Sequence, residues 1–184
     1  PPLVAVQGEQ TCFGWDAYHR LEEGGWTPLR SLKRDLEVSG PDTLLSLAGH
    51  EYPVLDLVTG LAASLRTALL EGSSLNVRDG QKLEVVLGIP ANANSNQRFL
   101  TAEGFRRAGF DVLGMLNEPS AASIEFSHQH KADRKLGAAE RVLVYDLGGG
   151  TFDASVVETA DSANTVLATD GLSRFGGDDF DEVL

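Results

Sequence analysis

Apolar residues recur at helical spacing along Val54, Leu57, Val58, Leu61, Leu65, Ala68 and Leu69, which predicts an amphipathic helix over residues 54–71, ended by Gly72-Ser73-Ser74. The period then changes. Leu83, Val85, Leu87 and Ile89 alternate as a strand would, and Pro90 stops the run. Asn94 or Ser95 can cap a second helix, with Phe99, Ala102, Phe105 and Ala108 sharing one face up to Gly109. A short strand over 112–116 leads to Glu118-Pro119, where proline suits a first helical turn, and that helix fades in the polar run 127–134. Beyond it, residues 141–157 read as two apolar strands joined by a turn, with a third strand over 165–169. The alternation of strands and helices is that of an α/β fold.

The turn between the late strands, Asp146-Leu-Gly148-Gly149-Gly150-Thr151, carries the chemistry. Consecutive glycines allow positive φ and let backbone N–H groups approach an anion that a Cβ would obstruct. Thr151 adds a hydroxyl. Asp146 can hold a metal-bound water or orient an attacking one. No Gly-Lys-Ser/Thr follows and the chain continues as a strand, so the segment is not a P-loop. Taken alone, it also fits a plain flexible hairpin. Asp153 reads either as a second carboxylate of such a site or as a solvent-face residue. Farther on, Gly176 and Gly177 let the backbone turn tightly against phosphate or ribose, and Asp178 and Asp179 favour the N-terminus of a new helix.

Composition narrows the classes. A net charge of −12 over 184 residues opposes nonspecific binding to nucleic acid or an anionic membrane. The most apolar helix is interrupted by Asp56 and Arg66, and no stretch has the uninterrupted length of a membrane span. Cys12 is the single cysteine, which excludes an internal disulfide, suits a reducing cytoplasm and reads as a buried small hydrophobe. Trp15 and Trp26 read as packing residues, and His128 and His130 as exposed linker histidines rather than metal ligands.

Asn117-Glu118-Pro119-Ser120-Ala121-Ala122-Ser123 upstream of the glycine turn, and Phe175-Gly176-Gly177-Asp178-Asp179-Phe180-Asp181 after it, resemble the actin-like ATPase superfamily. Gly88-Ile89-Pro90-Ala91 with Asn94-x-x-Gln97-Arg98, and Ser31-Leu32-Lys33-Arg34, resemble the seventy-kilodalton heat-shock chaperone family more than its filament-forming or sugar-phosphorylating relatives. The resemblance implies part of the actin-like ATPase (ribonuclease H-like) two-lobed fold, truncated at both ends. It places a reduced outer subdomain of the first lobe at 1–53, the core of that lobe without its first strands at 54–127, and the start of the second lobe at 128–184, with 128–135 as the boundary.

The resemblance further implies ATP or ADP with Mg²⁺. Lys33, Glu118 and Asp146 are the implied catalytic residues. Asp146 and Glu118 face the metal through water, and Gly148, Gly149, Gly150, Thr151, Gly176 and Gly177 hold nucleotide. Pro90 and Arg98 match the family's relay between nucleotide and peptide-binding domains. The family's Asp-x-Gly-Thr-Thr phosphate turn does not precede Pro1, and the chain reads as an internal piece of a longer protein. The expected function is a cytoplasmic chaperone ATPase that gates peptide binding, weak or inactive as this piece alone. Its partners would be nucleotide, cochaperones and client peptides, with neither nucleic acid nor membrane, and the piece would tend to self-associate. The alternative is a noncatalytic nucleotide- or partner-binding module with a degenerate actin-like fold.

Overall fold

Val4, Ala5 and Val6 have no exposed surface, because the strand they form is flanked on both sides. β1 (Val4–Gln7) pairs antiparallel with β2 (Gln10–Phe13) and with β3 (Thr27–Leu29), and α1 (Gly14–Glu23) connects those two neighbours. The structure is a computed structural model that describes residues 1–29, 31–77, 81–130, 140–160, 163–172 and 174–183. After β3 come α2 (Leu32–Val38), the antiparallel hairpin β4 (Leu44–Leu47) and β5 (His50–Pro53), and the long helix α3 (Val54–Gly72). There follow β6 (Leu83–Ile89), α4 (Ser95–Arg107), β7 (Phe110–Asn117) and α5 (Glu118–Gln129). The last elements are β8 (Glu140–Leu147), β9 (Phe152–Ala160), β10 (Ala163–Leu172) and α6 (Gly177–Asp181). Two compact units result, one of residues 1–86 and 94–114, the other of 87–93 and 115–184.

The first unit is built on an apolar cluster of Val4, Val6, Leu29, Leu32, Tyr52, Val54, Leu55, Leu57, Val58 and Leu100. Tyr52 closes it at one edge by donating its hydroxyl to the Gly8 carbonyl. Only the first half of the predicted α3 stripe is buried: Val54, Leu57 and Val58 are inside, whereas Leu65 and Ala68 are exposed. The predicted face of α4 is buried only in part, with Ala102 inside. Leu100 is fully buried while Phe99 is 45% exposed. The cause is the packing of α4 on α3, where Gly104 lies against Val58 so closely that any Cβ would overlap the Val58 side chain. Gly104→Ala is therefore expected to cost about 1–3 kcal/mol by overpacking, read as a lower urea midpoint. An unchanged midpoint would mean that α4 can back away from α3 freely.

α4 begins as its sequence predicts. Asn94 Oδ1 accepts the Gln97 N–H at 2.9 Å and Gln97 Oε1 accepts the Asn94 N–H at 3.0 Å, a reciprocal cap. Trp15 departs from expectation: it is 61% exposed and meets the Tyr18 ring edge-on, so it is not a core residue. Trp26 is half-buried under the Arg20 guanidinium, and Cys12 is half-buried rather than interior.

In the second unit β9 lies between β8 and β10, antiparallel to both. The third strand is longer than predicted, Ala163–Leu172, with a register shift between Val166 and Ala168. α5 packs across this sheet. Its anchor is polar: the Ser123 and Thr159 hydroxyls are 2.9 Å apart, and both lie within hydrogen-bond distance of Asn164 Oδ1, at 3.2 and 3.0 Å. Ser123 and Thr159 are buried and Asn164 is half-buried, so this triangle replaces water for the two hydroxyls. The polar run predicted as a boundary falls at 131–135 outside the described residues. No helix among the described residues is long and apolar enough to cross a membrane.

Candidate functional site

The sheet register sets two carboxylates face to face. Asp146 on β8 pairs with Asp153 on β9, one residue pair before Leu147 and Phe152, and the glycine turn closes the hairpin just beyond them. Gly148 N–H donates to the Thr151 carbonyl at 2.9 Å, which folds the turn back on itself. Gly148 and Gly149 do not adopt the left-handed φ expected of them. What demands glycine is an approach from the other side.

That approach comes from the segment leading into α6. Gly177 N–H donates to the Gly148 carbonyl at 3.0 Å, and Asp178 N–H to the Gly149 carbonyl at 2.7 Å. A Cβ on Gly176 would stand 2.5 Å from the Gly149 oxygen and 2.7 Å from the Gly148 oxygen, inside contact distance of backbone that cannot swing aside. Gly176 N–H is itself held by Asp179 Oδ2 at 2.8 Å. Gly176 and Gly177 thus brace the glycine turn, and their N–H groups are engaged within the protein. Among the described residues the Gly149 N–H and the Thr151 hydroxyl have no protein partner, which leaves donors for an anion at the turn.

Alternation along the strands places Val142, Val144 and Asp146 on one face, opposite Val157, Ser155 and Asp153. On β10, Thr169 is opposite Ser155 and Gly171 is opposite Asp153. A cavity of about 130 Å³ opens here, its polar lining made by Glu118, Asp146, Asp153, Ser155 and Thr169. Glu118 is the first residue of α5, half-buried, and Pro119 behind it is buried. The Ser123 anchor, farther along the same helix, fixes where Glu118 stands over the sheet. Ser155 and Thr169 hydroxyls are 2.8 Å apart and tie the cavity floor across the strands. This volume is well below the roughly 300–1,000 Å³ of ordinary small-molecule sites, so it suits an ion or the end of a phosphate chain and not a whole nucleotide.

Like charges opposite one another on neighbouring strands repel. Among the described residues neither Asp146 nor Asp153 joins an ion pair. A cation between two such carboxylates would offset the repulsion. No group of three or more acidic, histidine or cysteine side chains among the described residues converges closely enough to bind one directly. The arrangement fits a hydrated divalent ion held through its waters, as Mg²⁺ ordinarily is. Asp153 thus belongs to the cavity, not to the solvent face.

The sequence reading missed Ser155, Thr169 and Gly171. A Cβ on Gly171 would come within 2.7 Å of Asp153 Oδ1, so this glycine gives the carboxylate its room. The signal available was modest, an Asp170-Gly171 dipeptide and a Ser and a Thr at alternating strand positions.

Other expected residues lie elsewhere on the chain. Lys33 is exposed in the first turn of α2, and Arg98 is half-buried in the first turn of α4, its N–H bonded to the Asn94 carbonyl at 3.1 Å; both belong to the first unit. Pro90 belongs to the second unit, where its carbonyl accepts the Ala93 N–H at 3.1 Å and the resulting turn sets Ala91 on the cavity wall. His128 and His130 are exposed, and the His130 ring stacks on Phe126 with Nδ1 2.9 Å from its carbonyl.

Comparison with known sequences identifies the family. The family described as "Hsp70 protein" matches residues 74–184. The chain is 47% identical over 183 residues to "Chaperone protein DnaK" of Thermosipho africanus, covering 99% of this chain and 28% of that protein. It is 33% identical over 198 residues to "Chaperone protein HscA homolog" of Aliivibrio fischeri, covering 100% and 31%, and 40% identical over 122 residues to "Heat shock 70 kDa protein 6, chloroplastic" of Arabidopsis thaliana, covering 66% and 16%. The chain thus spans less than a third of the length of these relatives. With the match running over more than half of its residues, the chain belongs to the Hsp70 family, whose ATPase domain has an actin-like α/β fold.

Proposed function

We propose that this chain is part of the nucleotide-binding domain of a cytoplasmic chaperone ATPase, which binds Mg-ATP and in the whole protein hydrolyses it to gate peptide binding. The observation that carries the reading is the joining of an Asp146–Asp153 pair and Glu118 in one small cavity, with a braced glycine turn just beyond the pair, in a chain from this family. The subdomain division at 53 and 127, the Pro90–Arg98 relay, and cochaperones and client peptides as partners belong to the same proposal.

Asp146, Glu118 and Asp153 would hold magnesium through water, and magnesium when bound supplies positive charge beside the phosphates. The Gly149 N–H and Thr151 hydroxyl donate to phosphate oxygens. Water attacks the γ-phosphate in line and ADP leaves. Asp146 and Glu118 orient that water by accepting hydrogen bonds, and Lys33 offsets the negative charge that builds on the transferring group.

Calorimetry of ATP binding with and without Mg²⁺ tests the site. Asp146→Asn is expected to weaken Mg²⁺-dependent binding about tenfold or more, because it removes charge that faces the ion. Asp153→Asn is expected to raise metal-free stability by a few tenths of a kcal/mol through relief of the cross-strand repulsion. Equal affinity of both variants and the wild type, with and without Mg²⁺, would overturn the reading. Full-length protein that binds ATP and never hydrolyses it would make the noncatalytic module the better one.

A further inference from the structure

Ser155 and Thr169 line the same cavity as Glu118, Asp146 and Asp153, and their hydroxyl oxygens are 2.8 Å apart, a bond that either can donate. Two protons serve one bond. Among the described residues neither hydroxyl has a second protein partner, so the proton left over goes to whatever fills the cavity or to solvent. The two residues differ in which of these they reach. Ser155 is 3% exposed and shares a face of β9 with Asp153, two positions away, whereas Thr169 is exposed on β10.

If Thr169 donates, the Ser155 proton is turned into the cavity, where the carboxylates attract it. If Ser155 donates, its lone pairs face the cavity, and Thr169 gives its own proton to solvent at little cost. The first direction suits a cavity without a cation, because the proton offsets part of the repulsion between Asp146 and Asp153. The second suits a hydrated cation. Water on a cation presents its protons outward and needs acceptors around it. The carboxylates are such acceptors, and Ser155 becomes another only while Thr169 takes its proton.

We propose that Thr169 is a positioning residue for cation binding: it accepts the Ser155 proton and so turns Ser155 Oγ toward the cavity as an acceptor for cation-bound water. The inference rests on the reading of this cavity as the magnesium site. Valine keeps the branched shape of threonine and removes only the hydroxyl. With valine at 169 the Ser155 proton loses its protein acceptor and stays in the cavity, where it opposes positive charge. The harm then comes from Ser155 itself, and removing that hydroxyl as well should undo part of it.

In the full-length protein, calorimetry of ADP binding with and without Mg²⁺ isolates the Mg²⁺-dependent gain in affinity, free of turnover. Thr169→Val is expected to cut that gain about tenfold, the scale of a hydrogen bond to a charged group, and Ser155→Ala about threefold, since it loses an acceptor but leaves no proton behind. The double variant should match Ser155→Ala and so bind better than Thr169→Val alone, a reversal that general weakening of the sheet does not produce. Thr169→Ser keeps the acceptor and should restore the wild-type gain. Affinity without Mg²⁺ should stay within about twofold throughout, because the pair acts through the cation. A wild-type gain in Thr169→Val, with Asp146→Asn impaired, would overturn the link and leave the magnesium site standing. A double variant worse than either single one would show that the pair only holds the strands together, and would also overturn it. A wild-type gain in Asp146→Asn would instead remove the premise.

Discussion

Lys33→Ala in the full-length protein is expected to slow the cleavage of bound ATP by about 100-fold or more, with a much smaller change in nucleotide affinity. The asymmetry follows from when the charge is needed. An exposed ammonium gives up little to bound ATP that solvent and the metal do not already provide. As the bond to the leaving oxygen stretches, negative charge is redistributed over the transferring group, and a cation already fixed there stabilises that state without reorganisation. Single-turnover phosphate release and calorimetry separate the two quantities. Loss of affinity matching the loss of rate would assign Lys33 to binding, and an unchanged rate would mean that Ser31-Leu32-Lys33-Arg34 is not the catalytic segment.

A second large effect is expected at Gly176. The Cβ of Gly176→Ala would press on the Gly148 and Gly149 carbonyl oxygens, the same atoms that accept the Gly177 and Asp178 N–H bonds. Neither side can yield without losing a hydrogen bond. The variant should lose about 1–3 kcal/mol of stability and bind ATP about tenfold more weakly or worse, because the turn that presents phosphate donors is deformed. Gly149→Ala is the informative contrast. Its Cβ would meet only the Asp178 carboxylate, at 3.7 Å, and φ there is not left-handed, so stability should change far less. Thermal melts with and without Mg-ATP measure both effects. Equal stability losses at 149 and 176 would show that the brace does not set the turn.

The elements from Val54 onward were legible because each has a period long enough to read: α3, β6, α4, β7, α5 and the β8–β9 hairpin all lie where apolar spacing, Pro90, Asn94 and Pro119 put them. Before Val54 the strands are three or four residues long, and so short a run carries no usable period. Which face of a helix is buried was harder. Phe99 outranks Leu100 in size, yet the close contact of Gly104 with Val58 turns α4 to bury Leu100. The candidate site was partly legible. Glu118, Asp146 and the glycine turn declare themselves in short motifs, whereas Asp153, Ser155, Thr169 and Gly171 meet only through strand register. The use of Gly176 was invisible for the same reason, since it depends on a partner 27 positions earlier whose proximity only the fold creates.

The Ser123, Thr159 and Asn164 triangle also constrains how this chain can evolve. Two hydroxyl protons are shared among three oxygens contributed by a helix and two strands, so any one member can change and leave the other two bonded to each other, while a second change strands the last. Ser123→Ala leaves Thr159 and Asn164 to satisfy each other, and Thr159→Val leaves Ser123 to turn wholly to Asn164. Descendants should therefore tolerate one change in the triangle and change the remaining pair together, toward apolar side chains or toward another matched donor and acceptor. Losing one member of that remaining pair would strand the other, so the signature in an alignment of descendants would be correlated substitution at whichever two of 123, 159 and 164 are left, even where the carboxylates of the cavity stay fixed.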